Sequence, residues 1–349
     1  MPTVGDLEIN SNLQVIRAEI PSAGKIMKRH CKFMLLTTMA LFGCAPALGQ
    51  TVAPAGPTSS GTQDGASVPY FSGTWVRPYF GVEPPLSGPG PVTNSLRCSK
   101  ISQCAPFQGR DGVESYYGMV GDYTNPILKP QAADTLKKYG EIELSGRPNA
   151  TARSECWPDG VPLVFAFEEG MHLLQQPDKI TIVYDYDHQV RHVRMNEPHP
   201  APVMPSWYGD SVGHYEGDTL VIDTVGVKTD RPYAMVDMYG TPYSAALHVV
   251  ERYRLIDYEA ALQGQERGLK EHPDTRGAYG LVVDPDYRGK GLQIQFTVED
   301  DGVFTMPWSA TVTYRRGLTI LAEQVCVEDT HGIDGTNKRA LPRADKPDF

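Results

Sequence analysis

Basic residues are in short supply. Lys and Arg number 32 against 42 Asp and Glu, a formal net charge of −10 over 349 residues. A nucleic-acid binder needs a basic face to neutralise phosphates, so this balance argues against that class. Beyond residue 49 no stretch reaches the roughly 18 apolar residues that a membrane-spanning helix requires, so no membrane span is expected. Phosphate loops, dinucleotide fingerprints and zinc-protease motifs are missing, as is any Cys-x-x-Cys pair, so neither a cofactor nor a metal site is expected. The spacing of strand–helix–strand units is also absent. What is plentiful is Gly (34) and Pro (29), within an ordinary globular balance of 40% hydrophobic and 21% charged residues. So many breakers are uncommon in helix bundles and usual in all-β folds with many turns.

The N-terminal region has the make-up of an export signal. Lys28, Arg29 and Lys32 form a positive segment after Met27, Phe33 to Phe42 an apolar one, and Ala47-Leu48-Gly49 a small-x-small cleavage site before Gln50. Residues 27–49 are therefore expected to be a signal peptide, residues 1–26 an over-annotated upstream stretch, and the mature protein periplasmic. Leu41-Phe42-Gly43-Cys44 offers an alternative, a lipid anchor at Cys44 and an outer-membrane lipoprotein, with Phe42 an awkward residue for it. The mature chain keeps Cys98, Cys104, Cys156 and Cys326. An even count in an oxidising compartment favours two disulfides, with Cys98–Cys104 and Cys156–Cys326 the favoured pairing and buried thiols the alternative.

Residues 50–69 read as a flexible leader and 70–160 as a loop-rich wrap. The wrap holds one helix, near Pro130–Tyr139, started by Pro130 and stopped by Gly140. From 161 to about 330 the pattern is one of short strands: PLVFAFEEGMHLLQQ, a hairpin in KITIVYDYDHQVRHVRMN turning at Asp187-His188, and a second in SVGHYEGDTLVIDTVGV turning at Glu216-Gly217-Asp218. ALHVVERYRLI, GLQIQFTVED, FTMPWSATVTYRR and LTILAEQVCVE follow. These predict a mainly β fold, an antiparallel meander closing into a lipocalin-like or calycin-like barrel. Polar, partly helical residues 257–290 interrupt it as an insertion at the barrel mouth, and 331–349 form a tail.

Strand parity locates the unusual polar groups. Leu292, Ile294, Phe296 and Val298 share one face of an ordinary barrel strand. Asp223 shares a face with Val221 and Val225, and Glu251 with Val249 and Tyr253. A carboxylate on an apolar face must be paired, hydrogen-bonded or protonated: either a structural ion pair or a tuned acid or base. Arg191 and Arg194 fall on opposite faces, so at least one points inward, where its planar fork suits a substrate carboxylate unless Asp223 or Glu251 pairs with it. His214 and His248 are the candidate bases, histidine being the side chain whose ordinary pKa lies nearest neutrality. Tyr184, Tyr186, Tyr215, Tyr253 and Trp308 suit an aromatic pocket and a plain barrel wall equally.

Residues 205–224, containing Gly213-His214-Tyr215-Glu216-Gly217-Asp218-Thr219-Leu220-Val221-Ile222-Asp223-Thr224, resemble the signature of a large family of exported β-barrel proteins of Gram-negative soil bacteria. Pro158-Asp159-Gly160-Val161-Pro162, His248-Val249-Val250-Glu251-Arg252-Tyr253 and Phe304-Thr305-Met306-Pro307-Trp308 extend the resemblance over roughly residues 70–330, with 257–290 a subfamily insertion. The resemblance implies an exported, lipocalin-like barrel and no particular chemistry. The expected function is a cofactor-independent lyase, decarboxylating or eliminating on a small phenolic or aromatic acid in the barrel cavity. Arg191 or Arg194 would anchor the substrate, His214 or His248 act as base, Asp223 and Glu251 tune them, and Tyr184, Tyr253 and Trp308 line the cavity. The alternative is a periplasmic binding protein for aromatic or lipophilic small molecules.

Overall fold

The computed structural model describes residues 68–95, 120–145, 151–153, 156–167, 170–186, 189–231, 233–272, 282–318 and Cys326. The expected signal peptide, Cys44, the leader up to residue 67, Cys98, Cys104, the turn at 187–188, most of LTILAEQVCVE and the tail lie outside these residues.

Strands β1 (Gly73–Val76), β2 (Gly170–Gln175), β3 (Lys179–Tyr184), β4 (Val190–Met195), β5 (Asp210–Glu216), β6 (Thr219–Val225), β7 (His248–Ile256), β8 (Gly291–Glu299) and β9 (Trp308–Arg316) follow one another around a closed barrel. The lipocalin-like, mainly β architecture is thus observed, with one departure from a pure meander: β4 and β5 run parallel, while every other neighbouring pair is antiparallel. The reason is geometric. Each antiparallel contact reverses strand direction, so a ring with an odd number of strands cannot close on antiparallel contacts alone. The proline-rich connection 196–209 turns the chain so that β5 sets out in the direction of β4.

The strands follow from period-two patterning. Leu292, Ile294, Phe296 and Val298 of β8 point inward and are almost fully buried, as are Ala310, Val312 and Tyr314 of β9. Fully burying such a side chain contributes about 1.5–3 kcal/mol each, which fixes the register. The second hairpin turns as expected: Glu216 pairs with Thr219 across Gly217-Asp218, and Gly217 takes φ +62°.

Three expectations are corrected. Residues 70–160 are not only a wrap, because β1 lies there and closes the barrel between β2 and β9. The VFAF run is a one-turn helix, α2 (Val164–Phe167), not a strand. All four of its residues are buried, and a short run that is apolar on every side carries no period to separate helix from strand. Helix α1 (Pro130–Leu144) starts at Pro130 but runs through Gly140. Ala132, Leu136 and Gly140 form its buried stripe, and a Cβ at Gly140 would come 2.9 Å from a Val120 methyl, so this glycine serves close packing rather than termination.

The insertion forms α3 (Tyr258–Glu271), which lies on the outer wall over β8 and β9 rather than at the mouth. Small residues let it sit close: Ala261 against Gly291, Gly264 against Thr313, Gly268 against the Tyr79 ring. Beneath it Glu83 is buried and accepts from Tyr79 Oη at 3.1 Å and Thr313 Oγ1 at 2.8 Å, with Arg267 at 3.4 Å. Burial raises the Glu83 carboxyl above its ordinary range. Only the end of the insertion helix, Glu271 and His272, reaches the end of the barrel.

Candidate functional site

Inside the barrel the sequence-predicted residues divide. Arg191 on β4 and Glu251 on β7 point inward and meet: Nη1 to Oε2 at 3.0 Å and Nη2 to Oε1 at 2.6 Å, with both side chains inaccessible. Arg191 Nε donates to Ser211 Oγ at 3.1 Å, Nη2 also to Thr224 Oγ1 at 2.7 Å, and Tyr253 Oη donates to Glu251 Oε2 at 3.0 Å. Burial opposes the guanidinium charge, but the neighbouring carboxylate outweighs it and holds the pKa well above its ordinary value. Tyr253 and Tyr184 are pushed upward by burial. The fork expected to take a substrate carboxylate is filled by an internal one, so Arg191 is a structural partner of Glu251. The interior around the pair is packed with Tyr184, Tyr253, Tyr314, Phe165 and Phe296.

Gly209-Asp210-Ser211-Val212-Gly213 has the spelling of a nucleophile elbow, which requires a sharp strand-to-helix turn. Here Ser211 sits within β5, bonded to Arg191 and Thr224 Oγ1, so that role does not apply.

The remaining candidates lie on the outer wall. Arg194 binds Glu197 and Asp210; His199 bridges Asp210 at 2.6 Å and Asp223 at 3.1 Å; His248 bridges Asp223 at 3.0 Å and Glu299 at 3.4 Å. His214 is 51% exposed and meets Glu216 at 3.1 Å. None of Arg194, Asp223, His214 and His248 faces the interior with Arg191. The misassignment of Asp223 has a physical cause. Both faces of β6 are apolar, because Val221 is buried on the outer face much as Leu220 and Ile222 are on the inner one, so parity could not tell inside from outside. Cys156 and Cys326 are joined in a disulfide, as expected. Tyr186 Oη donates to the carbonyl of Arg153 at 3.0 Å instead of lining a cavity.

Trp308, the last of the expected residues, leads to the place that composition and parity did not reveal. At the end of the barrel where β8 finishes and β9 begins, the β6–β7 connection (226–247), α2, residues 81–94 and the end of α3 form a cap. Beneath it is a cavity of about 40 Å³, lined by Phe296, Trp308, Met238, Tyr239, Asp237 and His272 among others. Trp308 stands edge-on to Phe296 (6.1 Å) and Phe304 (5.8 Å), and Phe165 of α2 stacks on Phe296 at 4.8 Å. Asp237 Oδ1 accepts the backbone N–H groups of Tyr239 (2.9 Å) and Thr241 (3.1 Å), which fixes the turn. Its Oδ2 and the Trp308 indole N–H are both buried without a hydrogen-bond partner. The two side chains are 7% and 3% exposed. Burial lifts the Asp237 carboxyl above its ordinary range, against the Thr241 side chain and the backbone N–H donors that lower it.

Buried polar groups are nearly always satisfied, and each orphan costs about 1–3 kcal/mol. Two orphans on the wall of one cavity make a natural site for a small oxygen-bearing group, with the indole donating and the carboxyl donating or accepting by protonation state. Among the described residues no group of three His, Cys, Asp or Glu is placed to hold a metal ion. Asp237 belongs to a 22-residue connection, 226–247, rich in Tyr, Asp and Met; its length was the available sequence signal, since loops so long are uncommon without a function. No family model, no curated protein and no solved structure matches the chain.

Proposed function

We propose that this protein is a cofactor-independent lyase for a small phenolic or aromatic acid, and that its reacting groups are under the cap rather than in the barrel interior. The observation that carries the reading is the pair of orphaned polar atoms, Asp237 Oδ2 and Trp308 Nε1, on one small aromatic-walled cavity. In a decarboxylation the bond from carbon to the carboxylate breaks, carbon dioxide leaves, and the electron pair stays on carbon. That carbon takes a proton from the Asp237 carboxyl, which is recharged from solvent. The Trp308 N–H holds an oxygen of the substrate, and the aromatic wall excludes water so that both interactions act at low dielectric. A cavity this small admits only the reacting end of the substrate.

The reading includes export, which suits the Cys156–Cys326 disulfide, since such bonds persist in oxidising compartments. The test is incubation of the purified protein with a panel of hydroxycinnamic and hydroxybenzoic acids, followed by mass spectrometry. Loss of the mass of carbon dioxide, with turnover reduced about 100-fold or more in Asp237→Asn, is expected. Binding of unmodified ligand without turnover would replace this reading with that of a small-molecule binding protein. Turnover unaffected by Asp237→Asn and Trp308→Phe would remove the site.

A further inference from the structure

A second cluster shares no lining residue with that cavity. Trp157, Trp207 and Tyr233 are half-buried. Trp157 lies 6.1 Å from Trp207 at 49° and 6.2 Å from Tyr233 at 43°, so the three rings form an angled wall. Two cations stand over Trp207: the Arg231 guanidinium at 4.7 Å and the Lys228 ammonium at 5.5 Å.

Arg231 is the unusual member. It is only 8% exposed, and its one hydrogen bond runs from Nη1 to the carbonyl of Asp159 at 3.3 Å. Nε and Nη2 are buried without a partner. These two nitrogens share one edge of the guanidinium, the edge that receives a carboxylate through two parallel bonds. Among the described residues no carboxylate bonds to this edge. Arg153 engages Oδ2 of Asp159, from Nη2 at 2.8 Å and Nε at 3.3 Å, while Oδ1 is buried and hydrogen-bonded to nothing among the described residues, Arg231 included. The nearby hydroxyls are committed: Tyr243 donates to the Lys228 carbonyl at 2.7 Å and Tyr208 to Gln189 Oε1 at 2.5 Å. Lys228 has no ion pair among the described residues, so two cations beside one aromatic wall lack an anion in a chain of net charge −10. Burying a guanidinium without a bonded carboxylate is costly: burial lowers the Arg231 pKa, and the charge of Asp159, which acts the other way, does not offset it. Arg191, buried still more deeply, is bonded to a carboxylate; Arg231 is bonded to none among the described residues.

We propose that Arg231, Lys228, Trp157, Trp207 and Tyr233 form a binding site for an aromatic carboxylate, whose carboxylate takes the Nε/Nη2 edge of Arg231 and whose ring lies in the angle between the tryptophans and Tyr233. Lys228 adds a second, more exposed charge to the same anion. Face-to-ring stacking and the bidentate pair are separate contributions, so each can be removed alone.

The test is calorimetric titration of the whole protein with benzoate, with benzamide as its neutral analogue and inorganic phosphate as an anion without a ring. Benzoate is expected to bind about tenfold or more tightly than benzamide, and more tightly than phosphate. Arg231→Met is expected to reduce benzoate affinity about tenfold or more, and Arg231→Lys, which keeps the charge but not the fork, nearly as much. Lys228→Gln is expected to cost a few-fold. Equal affinity for benzoate and benzamide in the unaltered protein, or no binding of either, overturns the proposal whether or not the variants fold. Undiminished binding in a folded Arg231→Met variant overturns the anchor, and phosphate binding as tightly as benzoate overturns the ring contact.

Discussion

The barrel interior and its cap both bury charged groups, and they do so in opposite ways. In the interior, Arg191 and Glu251 meet edge to edge, with Ser211, Thr224 and Tyr253 supplying further hydrogen bonds. Under and beside the cap, Asp237, Trp308 and Arg231 keep buried polar atoms with nothing to bond. Low dielectric makes a closed network rigid and an open one costly. The first holds the barrel together, with the Tyr184 hydroxyl its one unbonded neighbour among those named above; the second is where a ligand is proposed to bind. A buried arginine is thus a candidate anchor only when its fork is open, and on that point Arg231 separates from Arg191.

The strongest way to break the comparison is to unpair the interior. Arg191→Ala or Glu251→Ala leaves an uncompensated buried charge and should cost about 3–5 kcal/mol in urea unfolding, whereas the double replacement Arg191→Met with Glu251→Leu should recover most of it. Near-native stability in either single variant, with activity lost, would make the pair functional after all. On the cap side, Cys156→Ser opens the link to Cys326, which spans 170 residues of sequence, and should cost about 2–4 kcal/mol by the same measurement. A smaller effect is expected where α3 meets the wall. A Cβ at Gly268 would lie 2.0 Å from Tyr79 Cζ, so Gly268→Ala should cost about 1–3 kcal/mol through overpacking, and faster amide exchange in α3 would locate the change.

The pH dependence sharpens the contrast at Asp237. Its folded pKa is raised, so it contributes stability that is present below the ordinary carboxylate pKa of about 4 and is lost as pH rises through the folded value. Asn at this position titrates nowhere. Thermal unfolding should therefore show Asp237→Asn gaining on the unaltered protein as pH rises above about 4; a constant difference would mean the carboxyl is not burdened by burial. The smallest effect is expected at His214. Exposed and paired with Glu216, it should give a change within about 0.5 kcal/mol on conversion to Ala, and no change in turnover.

The barrel was legible in the sequence because period two is strong where one face is buried and the other wet. β8 is the clearest case, with Leu292, Ile294, Phe296 and Val298 alternating against Gln293, Gln295 and Thr297. Parity also placed Glu251 on an apolar face and one of Arg191 and Arg194 inward without choosing between them; the structure selects Arg191. What it could not give was the pairing of Arg191 with Glu251, 60 positions apart, because register across three intervening contacts (β4–β5, β5–β6, β6–β7) decides it. It failed outright at β6, where Asp223 lies on a second apolar face turned outward. The cap was illegible for a different reason. Asp237 and Arg231 sit in an aperiodic connection, and the signal that distinguishes them, a missing hydrogen-bond partner, exists only after the chain is folded.

The parallel contact between β4 and β5 constrains how such a molecule can grow. A lone strand added anywhere else in the wall would leave two strands facing the wrong way, so descendants can gain or lose wall segments only in twos unless that seam is remade. An excursion that departs and returns between partners already joined escapes the restriction. The stretch from 257 to 290 does so, leaving Ile256 opposite Gly291 with the ladder undisturbed. Novelty in this architecture accumulates most readily as helices and loops laid over the outside and the ends.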